Sequence, residues 1–483
     1  MKEPRKTATL SEEAKIRSQQ RRDFILEGNL IKVIFIVALP QVTSMLIDSI
    51  YNLTDTYFVS QLGDTAIAAV GINDSLMHLI RATAMGFGMG SASYISRSLG
   101  AKKDEEASRA AVTTLFTAMG AIAVLATLAR VFLSPLVDFL GATPTIKHYT
   151  MDYAVWTLLA APITGGTVVL AQTLRSEGST TYSMIGNVSG CVINVILDPI
   201  FIHIMGLGVA GAAIATGISK VISFFILLTP FIRKKSVITL KPSFFTPTKA
   251  IYAEIAKMGI PTAMRSSMMS FATIITNNVA GSFGDVALAS LSIANKSIRL
   301  VASGIMGFGQ GFQPIAGYCW GAKRYARTVD ALKYTATIGA IIGAILGAGL
   351  FFFAPLLIQI FSKNPEVLGL GLLFIRTQSV VLIPHVYVML SNGFFQALGQ
   401  PVRAAIMGLS RQLLSLIPMV LILPYFFGAE GLACAQAAAD LISLCLAAIL
   451  VTPVIKMLLN YRKQELAGEL TQDIQVKPAI ESE

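Results

Sequence analysis

The chain has 483 residues, 54% of them hydrophobic and only 13% charged, about half the charged fraction of an ordinary soluble domain. Apolar runs of spanning length, such as those from Ala110 to Ser134 and from Gly208 to Ile232, exclude a soluble enzyme. The net charge of +11 falls in short connections and tails, so it reads as a topology signal and no nucleic-acid partner is expected.

Residues 1–29 are polar and charged, lack the pattern of a cleavable leader, and are expected to be a partly disordered tail. About twelve apolar runs follow, near 30–58, 66–96, 110–134, 149–174, 182–204, 208–233, 253–282, 286–318, 329–354, 367–397, 401–426 and 430–458. Their continuity predicts helices, because barrel strands alternate over about ten residues.

The first run contains Pro40, where a proline removes a backbone hydrogen bond and supplies a bending point. Fifteen residues later comes Asp55, with Tyr51 one helical turn before it and so on the same face. The second run carries Asp74, His78 and Arg81, with the aspartate and arginine two turns apart and suited to pair. In the fifth, NVILDPIF places Asn194 one turn before Asp198. A charge inside a span costs about 2.5–3.5 kcal/mol on insertion scales and marks a functional site by default. If the first and fifth helices face each other, two carboxylates, a phenol and an amide form an oxygen-rich cluster. Such a cluster suits H⁺ or Na⁺, and the two carboxylates would titrate as a coupled unit.

The eighth run carries Lys296 and Arg299, which can line a cavity. Arg265, Arg376, Arg411 and Asp440 suggest no role, and some are expected to reach polar surroundings from helix ends. Of 18 methionines, Met45, Met77, Met89, Met268 and Met306 are candidates for a flexible, polarisable cavity lining. The four cysteines lie inside apolar runs without a CxxC pair, so neither a disulfide framework nor a zinc site is expected.

Lys and Arg are sparse in alternate connections, which hold Lys147 and Lys363, and dense in the others and in both tails. Both termini are therefore expected in the cytoplasm. The long basic connection after Arg233 divides the chain into a tail (1–29), a six-helix lobe (30–233), a cytoplasmic linker (234–250), a second six-helix lobe (251–458) and a C-terminal tail (459–483). The lobes repeat each other at a spacing of 221 residues. Pro40 matches Pro261, Gly63–Asp64 matches Gly284–Asp285, Pro144 matches Pro365 and Gly178 matches Gly399. The segments from Met85 to Lys102 and from Met306 to Lys323 agree at eight of eighteen positions. An even number of crossings per repeat implies a pseudo-twofold axis along the membrane normal. The expected fold class is all-α integral membrane, with twelve transmembrane helices in two six-helix repeats.

These features together, namely Pro40 and Asp55 followed by Thr56, the paired MGFG…GAK segments and NVILDPIF, resemble the multidrug and toxin extrusion (MATE) family over about residues 28–458. The first-helix aspartate and the Asn-x-x-x-Asp-Pro run are similar to its DinF-like branch. That resemblance implies a secondary antiporter of a prokaryotic cytoplasmic membrane. It would export amphipathic, often cationic, organic compounds against H⁺ or Na⁺ by alternating access, as a monomer and without a cofactor. It also implies Asp55 and Asp198 as coupling carboxylates with Tyr51, Asn194 and Thr216 as supporting oxygens, a Na⁺ site at Asp55, Asn194, Asp198 and Thr216, and Pro40 as hinge. The NorM-like branch also uses acidic residues in the seventh and tenth helices. Here those runs read PTAMRSSMMSFATIITNN and IPHVYVMLSNGFFQ, with none, which argues against a cation site in the second lobe. A flippase for lipid-linked precursors is the alternative, kept open by Arg81, Arg265, Lys296 and Arg299. No HExxH, GxSxG or phosphate-binding loop supports an enzyme.

Overall fold

The computed structural model describes residues 12–140, 144–362 and 364–466; Lys363 and the outer parts of both tails lie outside them. In order the helices are α1 (Glu12–Glu27), α2 (Leu30–Ser60), α3 (Asp64–Gly100), α4 (Asp104–Val131), α5 (Leu133–Phe139), α6 (Pro144–Ser176), α7 (Thr180–Pro199), α8 (Gly208–Ile232), α9 (Lys249–Ser282), α10 (Asp285–Gly321), α11 (Tyr325–Phe361), α12 (Pro365–Val380), α13 (Leu382–Leu398), α14 (Pro401–Leu409) and α15 (Ile417–Leu466). Wider π-helical turns follow α7 at Ile200–Ile204 and α14 at Ser410–Leu416.

Among the described residues, seven helical stretches are long and apolar enough to cross a membrane, and α12 with α13, bent by 52°, makes an eighth. One of the seven, Pro401–Gln464, turns back at Gly428 (φ 59°, ψ −143°) and is two spans. The remaining three, α3, α9 and α10, are 34 to 37 residues long, ample for about 30 Å of hydrocarbon at 1.5 Å per residue. They miss on hydropathy because they carry polar residues at the centre of the molecule. Twelve spans result, six on each side of the 233–248 connection.

The repeat read from sequence is visible in backbone geometry. Gly63 and Gly284 have φ of 97° and 93°, Lys102 and Lys323 have 63° and 58°, and Gly178 and Gly399 have 83° and 71°. Each pair is 221 residues apart and closes equivalent turns.

The lobes meet along α2 against α10 and α3 against α9. The contact is tight toward the end of the bundle that carries the termini. Most residues from Gly304 to Cys319 of α10 are buried, whereas between Asp285 and Ser303 only Ala287, Ser290, Leu291 and Ala294 are. A Cβ at Gly311 would sit 2.5 Å from the Ala38 Cα, and one at Gly100 would collide with the Tyr318 carbonyl. Arg97 of α3 pairs with Glu254 of α9 at 3.1 Å, and the Ser93 hydroxyl donates to the Gln396 carbonyl. Toward the opposite end, here the far end, the central helices become exposed and the lobes part.

The N-terminal tail departs from expectation. Residues 12–27 form α1, which binds both lobes: Arg22 pairs with Asp104 at 3.0 Å and donates to the Leu99 carbonyl. Arg327 of the second lobe donates to the Ile25 and Gly28 carbonyls. The buried face is Ala14, Ser18, Arg22 and Ile25. Average polarity suggests disorder in this segment, although the spacing of its buried residues is helical.

Next to α1, Glu177 lies just past the end of α6. Its Oε2 accepts from the Ser236 hydroxyl (2.6 Å), the Val237 N–H (2.9 Å) and the Ile238 N–H (3.1 Å), while Oε1 has no partner. Burial raises its pKa above the ordinary carboxylate value, outweighing these hydrogen bonds. The folded protein then holds the proton more tightly than the unfolded chain, so stability should fall as pH rises from the usual carboxylate pKa through the raised one. Glu177→Gln is expected to flatten that fall, as read by melting temperature from about pH 4 to about pH 8. An unchanged slope in the variant would show that Glu177 is not its source.

Candidate functional site

Four helices of the first lobe converge on one polar site. Asp55 and Tyr51 come from α2, Asn194 and Asp198 from α7, and Thr216 from α8, so the five residues named from the sequence lie together. The Asn194 side-chain N–H₂ donates to Asp198 Oδ1 and to the Thr216 hydroxyl, both at 3.3 Å. The Thr216 hydroxyl also reaches the Tyr51 phenol. Asp55 and Asp198 are near enough for their charges to act on each other. Asp198 is 0% and Asn194 1% exposed, while Asp55 is half-buried.

Local sequence explains the arrangement. Spacings of four put Tyr51 over Asp55 and Asn194 over Asp198. Pro199 offers no N–H, and the helix widens immediately after it, with the Met205 N–H bonding back to the Ile200 carbonyl at 2.8 Å. Asp198 thus lies where regular helix gives way, fully inside the lobe.

The sequence missed Tyr153 of α6, the fourth helix. Its buried phenol is close enough to Asp55 and Asp198 to feel both charges. Its ring also joins Val59, Ala66, Ile202, Val209, Ala212 and Ala213 in an apolar cluster around the site. No periodicity could have singled it out, because no other residue of the set lies on its helix.

Two oxygens are left over. Asp198 Oδ2 and Asn194 Oδ1 are buried and accept no hydrogen bond from the described residues. An unsatisfied buried acceptor costs about 1–3 kcal/mol, more when charged. Two carboxylates, two hydroxyls and an amide oxygen make a hard donor set that suits a proton or a small hard cation.

The other candidates are spread out. Pro40 lies within α2, which remains helical throughout. Asp74 and Arg81 form the expected pair at 3.1 Å, yet are 62% and 46% exposed. His78, Lys296 and Arg299 are not buried either, and Arg299 acts on His78 from across the lobe boundary. Charges at this depth avoid hydrocarbon, so these residues face the opening between the lobes. Met45, Met268 and Met306 are half-buried. Met89 is buried, however, and Met77 packs against the cluster of Leu76, Ile80, Leu158 and Ala161. Met77 thus packs within the first lobe's own core, contrary to the cavity role expected of it.

The second lobe corrects a further expectation. Arg411, from the π-helical turn, holds the buried Asp440 of α15 through two contacts of 2.5 and 3.3 Å, with His385 Nδ1 at 3.7 Å. Arg376 stacks its guanidinium 4.9 Å from the Phe351 ring. Neither arginine reaches out from a helix end. A widened helix and a neighbouring ring give them partners inside.

Twelve spans in two tandem repeats, parted toward one end and holding ionisable groups inside one lobe, define the architecture of a secondary transporter. The MatE family model matches residues 40–200 and again residues 261–422, one match in each repeat, and the chain belongs to that family. Among curated proteins it is 29% identical over 432 residues to the multidrug export protein MepA of Staphylococcus saprophyticus, covering 89% of this chain and 95% of that one. Two solved structures, each 25% identical and covering 94% of this chain and 100% of theirs, align with TM-scores of 0.85 and 0.86. One is an outward-facing conformation of a multidrug resistance MATE family transporter of the MOP superfamily, and the other a MATE in the straight conformation.

Proposed function

We propose that the protein is a multidrug antiporter of a bacterial cytoplasmic membrane, with both termini in the cytoplasm. It exports amphipathic, often cationic, organic compounds while H⁺ or Na⁺ enters through the first lobe. The observation that carries this reading is the buried Asp198 carboxylate, whose Oδ2 accepts no hydrogen bond and whose nearest charge is a second carboxylate, Asp55. Two acids inside a lobe with no base among them need a counter-cation or a proton. A transported ion supplies either at one stage of the cycle and removes it at another.

In this cycle Asp55 and Asp198 take the ion from the outside, with Tyr51, Asn194, Thr216 and Tyr153 supplying oxygens. Occupancy favours one packing of α2 against its neighbours, with Pro40 as the hinge. The organic compound is released from the cavity lined by Asp74, His78, Lys296 and Arg299 as the ion binds. Because the parted end of the lobes is the end away from the termini, the cytoplasmic assignment of the termini makes this state outward-facing. The ion can drive the exchange only by binding the two conformations unequally. The DinF-like pattern of Asp55 and Asn194–Asp198 and the family relatives named for multidrug export support this reading.

Purified protein in proteoliposomes, given an imposed H⁺ or Na⁺ gradient with ethidium as reporter, tests it. Dye should move against its own gradient under one of the two ions and stop when that gradient is collapsed. No movement under either ion would refute antiport.

A further inference from the structure

We propose that a small cavity between the lobes, built around Arg175, is a site for one inorganic anion of halide size, such as chloride, and that its occupation holds the lobes together at the end carrying the termini. The site is separate from the Asp55–Asp198 pair and from the opening at the far end, and the inference goes beyond the export reading.

Arg175 is the penultimate residue of α6 and is 8% exposed. Its Nη1 donates to the Gln41 side-chain oxygen at 3.0 Å, while its Nε is buried and finds no acceptor among the described residues. No charged group among those residues bears on it. Arg22, the other arginine buried to this degree, pairs with Asp104 at 3.0 Å. Glu177, two positions after Arg175, is held instead by Ser236, Val237 and Ile238. Arg175 is thus left with an amide oxygen and the partial negative charge at the end of a helix, roughly half a unit. A guanidinium does not escape this situation by losing its proton, and a buried cation calls for a full counter-charge.

The cavity beside it supplies donors and no acid. Ser96 of α3, Gln172, Arg175 and Ser176 of α6, and Gln310 and Gln313 of α10 line it. The two serine hydroxyls donate to carbonyls three residues back, those of Ser93 and Thr173, so the guanidinium and the amides carry the site. Gln172 and Gln313 each make one long contact, to Met85 Sδ at 3.8 Å and to Gln396 Oε1 at 3.4 Å, and each amide keeps a second N–H. The cavity offers ≈ 10 Å³ to the centre of a water-sized sphere, room for a single water or a monatomic ion and too little for phosphate or an organic compound. Water would accept from these N–H groups without neutralising Arg175, whereas a halide does both.

The repeat sharpens the point. At the spacing of 221, Arg175 corresponds to Gln396 in the second lobe. That side chain has partners on both ends, accepting from Gln313 and donating to Asn392 at 2.8 Å. One lobe therefore brings a satisfied neutral amide to this region where the other brings a cation. Because α3 and α6 belong to the first lobe and α10 to the second, the donors converge only while the lobes are pressed together here. An anion bound among them favours that packing over the alternative.

Purified protein in neutral-lipid nanodiscs, with chloride replacing gluconate at constant ionic strength, provides the test. The wild-type melting temperature should rise with chloride and saturate, as binding to the folded state requires. Bromide should substitute for chloride, and sulfate should give no saturable rise. Spin labels at Lys102 and Gln400 should shift toward the shorter separation over the same range of chloride. Arg175→Gln should abolish both responses, and Gln310→Leu should raise the half-saturating chloride concentration about threefold or more, the loss of one hydrogen bond. A wild type without saturable chloride dependence overturns the proposal whether or not any variant folds. So does a response that sulfate reproduces, one that survives in Arg175→Gln, or one that leaves the label separation unchanged.

Discussion

Asp198→Asn is expected to reduce uphill export by about two orders of magnitude, the upper range of coupling between two ligands on one protein, while leaving the fold and substrate binding in place. The change is nearly isosteric. Asn194 can still donate to the oxygen at Oδ1, from which it now lies 3.3 Å, and the substituted amide would fill the same buried space. What disappears is the ionisable group whose second oxygen has no protein donor. Without it one state can no longer be charged by the entering ion, and the exchange loses its bias. Asp55→Asn should act in the same direction, because each carboxylate is the other's charged neighbour. Uphill dye efflux in proteoliposomes is the readout, with equilibrium dye affinity as control. A variant that exports at the wild-type rate would remove Asp198 from the mechanism.

The second large effect is expected from Gly311→Leu, far from any ionisable group of the first-lobe site. A Cβ alone at that position would come within 2.5 Å of the Ala38 Cα on the facing helix, and backbone cannot swing aside as a side chain can. Overpacking costs roughly 1–3 kcal/mol, which moves a two-state population from about fivefold to more than a hundredfold. The substitution acts only where α2 and α10 are pressed together. It should therefore disfavour the conformation closed at the end carrying the termini and stop turnover, with the Asp55–Asp198 site intact. Spin labels on the loops at Lys102 and Gln400 should report a longer separation than in wild type. An unchanged separation together with lost transport would mean that the glycine serves some other purpose than lobe closure.

Much of the fold was legible because the bilayer imposes one rule on every span. Twelve apolar runs became twelve spans, including the three polar central helices that a hydropathy threshold alone passes over. The spacing of 221 also placed the turns at Gly63 and Gly284 in the same backbone conformation. The heart of the site was legible where its residues are neighbours on one helix, as with Tyr51 and Asp55 or Asn194 and Asp198. Partners from separate helices were not. Tyr153 meets the acids across the lobe, Arg411 finds Asp440 29 residues away, and Gln41 holds Arg175 from 134 residues away. Nothing in local spacing records such meetings, which depend on helix rotation and depth. Helix α1 was hidden for a different reason, since its buried face includes Ser18 and Arg22 and hydropathy scores such a face as exposed.

The central claim is that the coupling ion and the organic substrate compete through the Asp55–Asp198 pair, and binding linkage tests it most directly. Ethidium affinity of the purified protein would be measured across H⁺ and, separately, Na⁺ concentrations, for wild type and for Asp55→Asn and Asp198→Asn. The account predicts that wild-type affinity weakens as one of the two ions rises and that both variants lose this dependence. Ion-dependent affinity of the same slope in all three proteins would contradict it and place the coupling site elsewhere.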